Sequence, residues 1–177
     1  MKHSLRTLAL AAVCALVMTP LVQAQDGAST IGSLASLYNT TVQNITKTAE
    51  MLDEDMYAYR PSVNVRTVQQ QLGHIINAQF GLCSLAAGED SPAEGNYEEM
   101  ATTKAAIVAA LEASTAYCNG VYDGMTDEAA TATRTFFGQE MTASAVLSFN
   151  MAHNYEHYGN LVTYMRLNGI VPPSSQQ

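Results

Sequence analysis

From residue 31 to 56 the apolar positions Ile31, Leu34, Leu37, Tyr38, Val42, Ile45, Ala49, Leu52 and Met56 recur every three or four residues. That spacing draws one stripe along a helix and predicts a first helix over 31–56. Arg60-Pro61 closes the segment, because proline pushes the preceding residue out of helical backbone. Thr67-Val68-Gln69-Gln70 reads as a capping box. It opens a second helix whose stripe is Val68, Leu72, Ile75, Ile76, Leu82, Cys83 and Leu85, with Gly88 as its stop. Asn96-Tyr97-Glu98-Glu99 is a second capping box. It introduces a third helix through Met100, Ile107, Val108, Leu111, Cys118 and Val121, finishing between Asn119 and Gly124. The stretch 125–141 is small and polar, broken by Gly138, and reads as a long loop whose Phe136-Phe137 folds back over one end of the molecule. A last helix spans about 142–168, capped by Asn168-Gly169 and closed off by Pro172-Pro173. Four helices of roughly 20 to 27 residues, with no strand alternation and no internal repeat, predict an all-α four-helix bundle.

The first residues do not fit that pattern. Lys2 and Arg6 precede an apolar run from Leu8 to Met18, and Val22-Gln23-Ala24 offers small residues for cleavage. This is the form of a secretory signal peptide over 1–24, followed by one domain over 25–177. The run is too short to span a bilayer, so the chain is expected to be periplasmic or secreted and free of the membrane once cleaved after Ala24. The formal net charge is −8. The leader carries two basic and no acidic residues, so the mature chain is more acidic still. With no basic stripe anywhere, such a surface repels phosphates, and nucleic acid is excluded as a partner.

Candidate chemistry comes from the histidines. Of four in the chain, His3 falls in the leader. His153 and His157, within Ala152-His153-Asn154-Tyr155-Glu156-His157-Tyr158, stand one helical turn apart on the same face as Val146, Asn150, Leu161 and Tyr164. His74 lies at the edge of the second helix's stripe, and a bundle can bring it opposite that pair. Three imidazoles suit a divalent metal, with zinc and nickel leading and iron, manganese or copper also compatible, and they leave a coordination position open. The plainer alternative is helix histidines satisfied by ordinary hydrogen bonds. Each ligand nitrogen calls for a partner on the other ring nitrogen. Glu156 points about 100° away from His157 and reads as a surface group, with a general-base role as the alternative. Asn150 either reaches a metal-bound water or satisfies a buried polar spot. Tyr155 and Tyr158 read as packing, and Tyr164 and Arg166 as holding the tail.

These residues also carry a family resemblance. Asp55-Met56-Tyr57-Ala58-Tyr59-Arg60-Pro61, Gly73-His74-Ile75, Phe80-Gly81-Leu82-Cys83, His153 to Asn160, Tyr164-Met165-Arg166 and Gly169 to Pro173 resemble the DinB-like family across essentially the whole mature chain. The resemblance implies a metal-dependent bundle of up-down-down-up topology, with its ligands at His74, His153 and His157. It also implies that Cys83 and Cys118 lie at the same end of two parallel helices, where a disulfide or two buried thiols are both open. Characterised relatives include thiol-dependent transferases and isomerases using mycothiol, bacillithiol or glutathione. The expectation is an exported metal-binding protein acting on an unknown small molecule, as a metal-dependent hydrolase or transferase. A non-catalytic metal-binding or stress-response module, and a homodimer, are the alternatives in function and assembly.

Overall fold

Each of the four long helices among the described residues begins on a hydroxyl side chain that accepts a backbone N–H three residues ahead. Ser29 caps α1 (Thr30–Met51), Thr67 caps α3 (Val68–Ala87), Thr103 caps α5 (Lys104–Gly124) and Thr142 caps α6 (Ala143–Leu167). Each side-chain oxygen satisfies a donor that the helix itself cannot. The box at Thr67 closes in both directions with Gln70. The computed structural model describes residues 29–176, and the leader proposed for 1–24 lies outside them.

α3 packs on α5 and α6, and α1 packs on the same two helices. Lys104 at the start of α5 donates to the carbonyls of Glu50 and Leu52 at the end of α1, so those helices run antiparallel. Cys83 meets Cys118, so α3 and α5 run parallel. Gln71 meets His157 while Cys83 lies near Asn150, so α3 and α6 are antiparallel. The bundle is up-down-down-up. Its core has two parts: one around Leu72, Ile76, Leu111, Leu161 and Met165, the other around Tyr38, Val146, Leu147 and Tyr122. The bridge Cys83–Cys118, with Cα atoms 5.4 Å apart, sits fully buried in the second.

Three segments depart from the sequence reading. The first helix stops at Met51, and α2 (Glu54–Tyr57) follows after a break at the extended Leu52. The break lets Tyr57 turn inward and donate its hydroxyl to Ala49 O at 2.6 Å. The expected third helix is likewise divided. α4 (Tyr97–Met100) is a single turn, and the chain leaves helical backbone at Ala101 before α5 begins.

The expected loop 125–141 instead holds a 3-10 turn at Ala129–Thr131 and an antiparallel hairpin, β1 (Thr133–Phe136) and β2 (Gln139–Thr142). Strands of four residues are too short for alternation to register. Arg134 of β1 donates to Leu85 O, Ala86 O and Ala87 O, the last carbonyls of α3. Phe136 is buried as expected, whereas Phe137 is 81% exposed.

Phe137 and Gly138 form the two-residue hairpin tip, and Phe137 has a φ of 48°. The left-handed region is costly for an aromatic residue and suits asparagine or glycine there. Phe137→Asn is therefore expected to raise stability by roughly 1 kcal/mol, seen as a rise of about 2–4 °C in Tm.

Candidate metal centre

α3 carries His74 toward α6, and α6 returns His153 and His157 one turn apart. The three rings converge. His153 Nε2 lies 3.1 Å from His74 Nε2 and 2.9 Å from His157 Nε2. One nitrogen of each falls within 4.8 Å of the others, a group that could hold a metal ion. His157 is buried at 6% exposure, whereas His74 and His153 are half-buried, so the cluster sits at the bundle's flank with one side open. The sequence reading placed both helix-six histidines in the core; only His157 goes that deep.

Two neighbours that the sequence did not single out set the rings. Glu98 Oε1 accepts from His74 Nδ1 at 2.8 Å, which fixes the Nδ1–H tautomer and leaves the Nε2 lone pair facing the cluster. Glu98 Oε2 accepts from Arg66 Nε at 2.9 Å, so the carboxylate is held from both sides. Burial alone would raise the Glu98 carboxyl, but the hydrogen bonds and charges of Arg66 and His74 outweigh it and hold it below the usual range. Gln71 is the other neighbour, its amide meeting His157 Nδ1. The atom placed against Nδ1 is the amide nitrogen of Gln71. With an ion on Nε2, His157 would carry its proton on Nδ1, and the amide turned end for end would present its oxygen to accept it. His153 Nδ1 is buried with no hydrogen-bond partner among the described residues, so the expected orienting partner exists for two of the three rings.

α4 reaches α3 because of Gly73. A Cβ there would lie 2.7 Å from Tyr97 O and 2.8 Å from Glu98 N and Cα, all backbone atoms. The absent side chain is what lets Glu98 come down on His74. Asn77 adds to the seam, accepting from Tyr97 N at 2.9 Å. Both Glu98→Gln and Gly73→Ala are expected to weaken binding of a divalent ion by about 10–100-fold, measured by competition with a chromogenic chelator. Gly73→Ala should also lower Tm by displacing α4, a loss that Glu98→Gln does not share to the same degree.

The cluster is electrically prepared for ligation. Burial, reinforced by the neighbouring His74 and Arg66 charges, lowers His153 to about 4. Burial, then His153, His74 and Arg66, lowers His157 to about 3. Both rings are neutral at neutral pH, as ligation requires. The linkage has a definite sign. Below about pH 6.5 the unfolded chain binds protons on these histidines that the folded chain refuses. The metal-free protein is thus expected to lose stability as pH falls from about 6.5 through 4 toward 3. A series of melting temperatures across that range checks it, and replacing both rings with glutamine should flatten the slope.

The remaining candidates find other places. Asn150 reaches Cys83 Sγ at 3.5 Å and Tyr122 Oη at 3.4 Å, a buried polar spot beside the bridge rather than among the histidines. Tyr164 donates to Arg66 O, Tyr158 pairs with Ser174, and Arg166 donates to Ser175, so all three hold neighbouring backbone or the tail. Glu156 is exposed and lines a cavity of about 540 Å³ with His157, Gln71, Glu98, Arg66 and Asn160.

Comparison with known proteins agrees with this architecture. Residues 37–161 match the family model of the DinB superfamily. The Bacillus subtilis protein YjoA is 28% identical over 128 residues, 70% of this chain and 82% of YjoA. The YjoA crystal structure superposes with a TM-score of 0.65 at 22% identity, covering 82% of this chain and 98% of that one. A DinB-like protein from Bacillus cereus gives 0.68 at 19% identity, over 79% and 93%. The mycothiol-dependent maleylpyruvate isomerase shares the fold at a TM-score of 0.62 and 15% identity, over 74% of this chain and 60% of its own. An all-α bundle of this topology, with a family match over most of its length, belongs to the DinB superfamily.

Proposed function

We propose that this is an exported divalent-metal protein whose centre, His74, His153 and His157, leaves a coordination position for a small molecule and serves a metal-dependent hydrolase or thiol-dependent transferase. The observation that carries the reading is the convergence of three imidazole nitrogens backed by Glu98 and Gln71. Three protein ligands make an open site, where a structural zinc site takes four. Zinc or nickel suits the all-nitrogen donor set best. Such an ion would lower the pKa of a bound water or thiol enough to supply a nucleophile at neutral pH.

The chain's own residues do the rest. Glu98 and Gln71 hold His74 and His157 in one orientation. Arg66, Asn160 and Glu156 give the adjoining cavity polar walls against which a substrate can be oriented. The mycothiol-dependent isomerase, at low identity, supports thiol chemistry only as one option for this fold. Export is supported by the leader-like first 24 residues and by a buried disulfide, which persists in oxidising compartments.

Cobalt substitution tests the open position. The d–d absorption of the cobalt protein should shift on adding acetohydroxamate, and glutathione should add a thiolate-to-metal band if a thiol is the cosubstrate. A spectrum indifferent to every added ligand would mean a closed, structural centre.

A further inference from the structure

Among the described residues Arg66 is the one cation on the wall of the cavity beside His157, and only part of its guanidinium is engaged. Its Nε donates to Glu98 Oε2 at 2.9 Å, while its Nη1 and Nη2 make no hydrogen bond among the described residues. The side chain is 41% exposed, open to the cavity rather than sealed behind it. The group cannot swing freely. Glu98 fixes it through Nε, Glu98 is itself fixed by His74 and Gly73, and the Arg66 carbonyl accepts from Tyr164 Oη at 3.0 Å. A guanidinium held by one edge on the wall of a cavity, with its outer donors uncommitted among the described residues, is a preorganised fork for an oxyanion.

We infer that Arg66 forms a carboxylate subsite, so the small molecule acting at the three-histidine centre carries one carboxylate that seats on the Arg66 Nη groups while another polar group faces the metal. This rests on the metal reading above. A single negative charge is favoured over the double charge of a phosphate monoester. Glu156 and Glu98 line the same cavity, and the chain as a whole carries −8. Gln70, Gln71 and Asn160 complete the walls with uncharged polar groups suited to the neutral part of such a molecule.

The test separates the two layers. The metal-loaded full-length mature protein is titrated calorimetrically with acetohydroxamate, which reports the metal alone. It is then titrated with glutaric acid monohydroxamate and with the matching terminal amide, which differ only in the distal charge. The carboxylate should bind about tenfold more tightly than the amide. Arg66→Gln should bring that ratio to about one, and Arg66→Lys should keep part of the preference. Both probes are compared within each variant, so a loosening of the centre through Glu98 lowers them alike and leaves the ratio readable. A ratio near one in the unaltered protein, or a preference that survives in Arg66→Gln, overturns the subsite. Tighter binding of inorganic phosphate than of the carboxylate probe overturns its selectivity. Absence of acetohydroxamate binding instead counts against the metal centre, and the carboxylate preference is then read on the metal-free protein with glutarate against glutaramide.

Discussion

Replacing both Cys83 and Cys118 with serine is expected to cost about 3–4 kcal/mol of folding stability. The two residues are 35 apart in sequence, and the bridge closes a loop holding the end of α3, all of α4 and most of α5. In the unfolded chain that closure removes many conformations, which is where most of the stabilisation originates in the chain-entropy account. Two serine hydroxyls left in a site with no solvent exposure would add a desolvation cost. Urea unfolding of the double variant, and of the unaltered protein with and without reductant, measures the loss. A midpoint that moves by less than about a tenth would mean the bridge does not constrain the chain.

The periodicity of apolar residues was enough for the four long helices, because each buries one continuous stripe and begins on a hydroxyl cap. The histidine cluster was legible from a count and a spacing. Few histidines remain past the leader, two of them one turn apart, and a bundle offers one place for the third. What the sequence hid were the departures from regularity. Leu52 and Ala101 break helices whose stripes run on past them, and both breaks answer to tertiary contacts: Tyr57 with Ala49, and α4 with α3. Glu98 was invisible for that reason. It lies 24 residues from His74 in a segment that reads as an ordinary acidic first turn. The one local signal was Gly73, a glycine inside a helix immediately before a candidate ligand, where only a close backbone approach accounts for the missing side chain. Arg66 and Gln71 carry no signal of their own, since their partners are set by how the helices dock.

The bundle tolerates polar groups near its core because they meet one another there. His157 is neutral, neighboured by Gln71, and faces two other imidazoles, so its burial is compensated only when all three rings share a common partner. His157→Ala removes one ligand of three and leaves the Gln71 amide without its ring. Because second neighbours alone are worth 10–100-fold, loss of a ligand should weaken metal binding by at least ~100-fold. The two rings that remain, His74 and His153, come from different helices, and only His74 keeps an orienting partner, Glu98.

Elemental analysis of the protein purified from its native compartment, beside His157→Ala prepared identically, therefore bears most directly on the central claim. The expected result is close to one divalent transition metal per chain, zinc or nickel foremost, in the unaltered protein and almost none in the variant, with helical circular dichroism preserved in both. Protein that carries only trace metal and takes up none at micromolar concentration, or a variant that keeps the full content, would contradict it.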